Sequence, residues 1–157
     1  MTLEPPNPNG QEERNARRLD SEILYESPFT LTGRVRSFRH AARGIWFVLR
    51  SQHNAWLHAV ATVLALILAG VLEWTVTHFS AAAWCSLVIA IVLVWVAETF
   101  NTGLEVLAEA ITSERHPVLK VAKDVAAAAV FLAAIGAMVV GLILFLPPLW
   151  ELVRQLG

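Results

Sequence analysis

Glu98, Asn101, Glu105 and Glu109 follow one another at i, i+3, i+7 and i+11, behind a run (74–97) that carries no Asp, Glu, Lys or Arg. At the α-helical repeat these four side chains share one face. A carboxylate is costly in hydrocarbon, so three of them on one stripe of an apolar segment mark a functional site by default. Carboxylate and amide oxygens suit a hard divalent cation such as Mg²⁺. Lys123 and Asp124 open the next apolar segment, across a short polar loop. A lysine there can neutralise a phosphate, and an aspartate can bind metal or orient the lysine. Acids plus a lysine at a membrane–water boundary fit a site that brings a magnesium nucleotide to a lipid.

The elements that must hold these residues are apolar helices. Of the 157 residues, 56% are apolar, which excludes a string of soluble domains and points to one membrane domain. Three windows lack Asp, Glu, Lys and Arg: 51–72, 74–97 and 125–150, of 22, 24 and 26 residues. Each exceeds the roughly 20 residues that cross a bilayer as helix. The expected fold is an all-α membrane protein with three transmembrane helices, at about 55–74, 81–111 and 118–146. An amphipathic surface helix at 32–51 precedes them, because Val35, Phe38, Ala42, Ile45, Trp46 and Leu49 alternate there with Arg36, Arg39, Arg43 and Arg50. Together these make one domain over 32–150. Residues 1–31, with Pro5, Pro6, Pro8 and Gly10, read as a weakly ordered extension, and Pro147-Pro148 is expected to stop the last helix before a short tail at 151–157. Ala129, Ala133, Ala137 and Gly141 form a small-residue ridge suited to close helix approach.

Eight of the twelve basic residues precede the first span, and Arg115, Lys120 and Lys123 lie between the second and third. The positive-inside rule then puts the N-terminus and the second loop in the cytoplasm and the C-terminus outside. Segment 1–20 has no cleavable-signal pattern, so the first span is the membrane address. A net charge of −1 gives no reason to expect a nucleic-acid partner. Cys85 is the only cysteine, and His40, His53, His58, His78 and His116 are too scattered for a zinc cluster. No phosphate-binding Gly-rich loop of the common soluble nucleotide enzymes occurs.

Other readings of the stripe stand beside this one. The carboxylates could pair with Arg50, Arg115, Lys120 and Lys123 and simply hold helix ends together, which for any single acid is the commoner situation. A proton or cation path could use the same stripe, though it leaves the amide and the basic loop unexplained. A non-catalytic membrane scaffold is a third possibility.

Residues 97–105 (Ala-Glu-Thr-Phe-Asn-Thr-Gly-Leu-Glu), Ser113-Glu114-Arg115-His116-Pro117 and Lys120-Val121-Ala122-Lys123-Asp124 together resemble the signature of the small prokaryotic diacylglycerol kinase family, which includes undecaprenol kinases. Ser37-Phe38-Arg39-His40-Ala41-Ala42-Arg43-Gly44 and Gln52-His53-Asn54 resemble its surface helix and the start of its first span. The likeness covers roughly 33–145. It implies a homotrimer in the bacterial inner membrane, with composite cytoplasmic sites that pass the γ-phosphoryl of MgATP to a lipid alcohol, diacylglycerol or undecaprenol. It implies Glu98 as general base, Asn101 as its polar partner and Glu105 as a metal carboxylate. Lys123 and Asp124 would serve nucleotide phosphate and metal, and Glu114, Arg115 and His116 would contact nucleotide. Two positions depart from the pattern. Gln52 stands where the family has a metal-binding glutamate, and Glu109 stands where an aspartate is usual.

Overall fold

The computed structural model describes Leu31–Thr112, Glu114 and His116–Leu156. The expected extension over 1–31 lies, but for its last residue, outside the described residues, as do Ser113, Arg115 and Gly157. Among the described residues four helices follow in order: α1 Leu31–Ser51, α2 His53–Thr75, α3 Ala81–Ile111 and α4 Pro117–Leu156. No strand occurs among the described residues. α2, α3 and α4 are each long and apolar enough to cross a membrane. The chain divides between His40 and Ala41 into two compact units, a boundary that falls inside α1. In the first unit Val35 and Phe38 are exposed, and in the second so are Ile45 and Trp46, as an amphipathic surface helix requires.

α3 packs most extensively on α4, while α2 touches both more lightly. The seam mixes small residues with a few larger ones, Leu72, Leu87, Val94 and Val130. Ala55 and Ala69 on α2, Ala90 and Ala108 on α3, and Ala126 on α4 are buried, whereas Leu64, Ile67, Leu93, Phe131 and Ile143 face outward. Lipid solvates large apolar side chains as well as a protein core does, so close backbone approach is what holds spans together. The small-residue ridge is correspondingly displaced: Ala133, Ala137 and Gly141 are half-buried, but Ala129 is exposed and Ala126 takes its place.

Each junction has a local cause. Gln52 breaks the helical path with φ −111° and ψ 122°, though its N–H still donates to the Val48 carbonyl at 3.1 Å. It precedes α2 without capping it, which leaves its side chain free for another partner. Between α2 and α3, Glu73 accepts from the Phe79 N–H at 2.8 Å. Ser80 then caps α3 through its hydroxyl, which accepts from Ala83 N–H at 3.2 Å. Thr112 ends α3, its hydroxyl accepting from Glu114 N–H at 3.0 Å, and Pro117 starts α4 where a missing N–H costs nothing.

The third span differs from the expectation at its far end. α4 does not stop at Pro147-Pro148 but continues through both to Leu156, so the region expected as a tail is helical. Two adjacent prolines remove two backbone donors, leaving the carbonyls of Ile143 and Leu144 without their i+4 partners. A helix of 40 residues is about 60 Å long, twice the hydrocarbon thickness. The proline pair therefore falls near an interface, where water can meet the freed carbonyls. Beyond it the Arg154 guanidinium stacks on Trp150 at 5.2 Å.

Candidate functional site

On α3 the buried residues Leu87, Ala90, Val94, Glu98, Asn101 and Ala108 form one continuous seam. Glu105, half-buried, lies between the last two. The polar stripe is thus the same face that packs the bundle, with acids and an amide replacing apolar residues at its end. Glu98 is 1% exposed and Asn101 6%. Both Glu98 carboxylate oxygens and Asn101 Oδ1 are buried with no hydrogen-bond partner among the described residues. Removing an ion from water without partners costs several kcal/mol, so this constellation is complete only when something else supplies donors or charge.

Glu105 is better served. Gln52 Nε2 donates to its Oε2 at 2.8 Å and Asn101 Nδ2 to its Oε1 at 3.4 Å. The extended backbone at Gln52 thus aims that amide from the start of α2 onto α3. Two neighbouring hydroxyls turn away, with Thr99 and Thr102 donating to the Trp95 and Glu98 carbonyls at 2.7 and 2.9 Å. A further side chain enters from α2: His58 Nε2 stands 3.9 Å from Glu98 Oε2. Among five dispersed histidines it carried no special weight in the sequence. The available signal was its register, since Ala55, His58, Thr62, Ala65, Ala69 and Leu72 repeat every three or four residues along the inward face of α2. That face is fixed to α3 by Trp95, whose Nε1–H donates to Thr62 Oγ1 at 3.2 Å.

One turn beyond Glu105, a cavity of about 640 Å³ opens between the end of α3 and the start of α4. Glu109, Glu114, His116, Lys120, Lys123 and Asp124 line it. Lys123 Nζ lies 3.8 Å from Glu109 Oε1, and Lys120 pairs with Asp124 one turn along α4. Asp124 therefore orients Lys120 rather than Lys123. These pairs are largely exposed and weak, and a competing anion can take the lysines. The volume and mixed lining suit a nucleotide-sized ligand.

The expected residues thus fall into two adjoining groups. Glu98, Asn101, Glu105 and Gln52 meet between α2 and α3, and Glu109, Glu114, His116, Lys123 and Asp124 meet around the cavity; Arg115 lies outside the described residues. Pairing with lysines accounts for Glu109 and Asp124, but among the described residues no lysine or arginine pairs with Glu98 or Glu105. No three His, Cys, Asp or Glu among the described residues stand together as a closed metal cage. A magnesium ion does not need one, since it binds through one or two carboxylates plus phosphate and keeps several waters. The half-buried Glu105 is a carboxylate of that kind, and the Asn101 amide turns its nitrogen toward it.

Residues 39–145 match the family described as prokaryotic diacylglycerol kinase. The chain is similar to the undecaprenol kinase of Bacillus subtilis (strain 168), 36% identical over 114 residues that cover 73% of this chain and 89% of that protein. It is also similar to the diacylglycerol kinase of Synechocystis sp. (strain ATCC 27184 / PCC 6803 / Kazusa), 38% identical over 117 residues, 74% of this chain and 64% of that one.

Proposed function

Since the chain belongs to the prokaryotic diacylglycerol kinase family and is an ATP-dependent lipid kinase of the membrane, we propose that it transfers the γ-phosphoryl group of MgATP to the hydroxyl of a lipid alcohol. Diacylglycerol and undecaprenol are the two acceptors the relatives' names offer. Both present a hydroxyl on a hydrophobic anchor, which is what a site at headgroup depth selects. The observation that carries the reading is the buried Glu98 carboxylate, whose two oxygens have no hydrogen-bond partner among the described residues, about three turns along α3 from Glu109 in a cavity also lined by Lys123 and Asp124.

The nucleotide occupies that cavity with its phosphates directed along α3 toward Glu105. The acceptor hydroxyl reaches Glu98 from the lipid. Glu98 takes the hydroxyl proton as the oxygen bonds to the γ-phosphorus; the bridging bond to the β-phosphate breaks and ADP leaves with its electron pair. Lys123, paired with the exposed Glu109, turns to the phosphates and offsets their charge. Asn101 and Gln52 hold Glu105 in place. Magnesium held by Glu105 would supply charge neutralisation at the transferring group. The likeness to the family's signature supports assembly as a homotrimer, and the basic residues ahead of α2 and between α3 and α4 support a cytoplasmic site, with the C-terminus outside.

Purified protein in mixed micelles with labelled ATP and a panel of lipid alcohols tests the reading. One labelled phospholipid product identifies the acceptor. No product with any alcohol in the presence of Mg²⁺ overturns it.

A further inference from the structure

We propose that His58 is the positioning residue for Glu98: its Nε2–H donates to one carboxylate oxygen and so aims the other at the acceptor hydroxyl. The inference rests on the kinase reading for its consequence, but not for the contact itself.

Glu98 is the most thoroughly enclosed acid among the described residues, and its two oxygens lack partners there. A carboxylate that must take a proton from one direction needs its orientation fixed by something other than the substrate. Glu105 cannot do this, because its own oxygens are engaged by Gln52 and Asn101 and it bears the same charge. Thr102 cannot, since its hydroxyl is spent on the Glu98 carbonyl. The His58 side chain is 13% exposed and directs Nε2 to within 3.9 Å of Glu98 Oε2. That separation is too long for a hydrogen bond, but catalytic hydrogen bonds commonly tighten only when substrate is bound.

The imidazole is held at that spot. Ala55, 0% exposed, packs α2 one turn before it, and Thr62 is bonded by Trp95 one turn after. A neutral imidazole is also far cheaper to enclose than an ammonium or guanidinium, while its N–H offers the same single donor. The ring presents Nε2 with one tautomer available to donate, which a methylene chain in the same place could not do.

The test compares His58→Leu with His58→Gln, whose amide nitrogen extends to nearly the position of the imidazole Nε2. A hydrogen bond to a charged group changes an equilibrium by about tenfold to a hundredfold. His58→Leu should lower kcat by about that factor while KM for ATP and for lipid stays within about twofold. His58→Gln should recover most of the loss. Unchanged kcat in His58→Leu, or equal loss in both variants, overturns the proposal, the second outcome meaning that only ring packing matters. Infrared difference spectroscopy reads the contact without turnover. The carboxyl band that Glu98→Gln removes should shift in His58→Leu and return in His58→Gln. A band that does not move overturns the contact whether or not the chain phosphorylates lipid, whereas a shifting band with no lipid product from the wild type would overturn the kinase reading alone.

Discussion

The amide of Gln52 and the carboxylate of Glu105, 53 residues apart in sequence, meet at 2.8 Å and join the start of α2 to the end of α3. An uncharged donor at this point satisfies one oxygen of the half-buried Glu105 and leaves the remaining lone pairs of its carboxylate available to a cation. Gln52→Glu would replace that donor with a second carboxylate at the same distance. We expect the variant to melt earlier than wild type in chelator, and to recover most of the difference in millimolar Mg²⁺, because paired carboxylates repel each other until a cation bridges them. Thermal unfolding in detergent with and without chelator measures this; equal midpoints under both conditions would show that Gln52 and Glu105 do not share a cation site.

Glu98→Gln keeps the shape of the side chain and removes its ability to accept a proton. General base catalysis contributes about a hundredfold to ten-thousandfold, so lipid phosphorylation should fall by at least about two orders of magnitude. Helical content by circular dichroism should be unchanged, since an amide is easier to bury than an ion. Wild-type turnover in this variant would exclude Glu98 as the base.

Lys123 and Glu109 separate charge loss from site loss. Lys123→Met should raise KM for ATP and lower kcat together, by about tenfold or more in kcat/KM, because it removes a cation from the nucleotide phosphates. Glu109→Gln deletes the other half of a mostly exposed pair, and kcat/KM should stay within about threefold. A Glu109→Gln loss as deep as that of Lys123→Met would mean that the pair itself is what the site requires.

The α2–α3 turn offers a stability change remote from the chemistry. Glu73 accepts from the Phe79 backbone and lies 3.3 Å from His78 Nδ1, and Phe79 in turn meets Trp84 and Phe145 edge to face. Glu73→Ala leaves that N–H unpaired and should lower the melting temperature while kcat/KM remains within about twofold. A proportional loss of activity at temperatures well below melting would contradict this separation.

Much of this was legible in the sequence, and what was not has identifiable causes. α3 begins and ends where expected, at Ala81 and Ile111, because Ser80 caps it and the polar loop after Thr112 breaks the apolar period. The surface helix and the three apolar helices likewise follow from residue spacing alone. α4 runs past the expected stop because a proline pair, which ends a helix in water, is a tolerable interruption where a long helix emerges from lipid. The site divided similarly. Its acids share a helix and declare themselves by periodicity, and Gln52, just ahead of α2, enters through the family resemblance, whereas His58 reaches the site from α2, and the periodicity of α3 is silent about what lies across the helix seam.

The seam on α3 runs without a break from Leu87 and Ala90 through Glu98 to Ala108, so the residues that grip the neighbouring helices and those assigned to the reaction occupy a single register. A slip or rotation of α3 against α2 cannot spare one and disturb the other. Insertion of a single residue ahead of Glu98 would turn the acids about a quarter-circle out of the bundle together with whatever follows them. A bundle packed out of register therefore also turns Glu98 and Asn101, the polar pair it otherwise encloses, toward solvent or lipid.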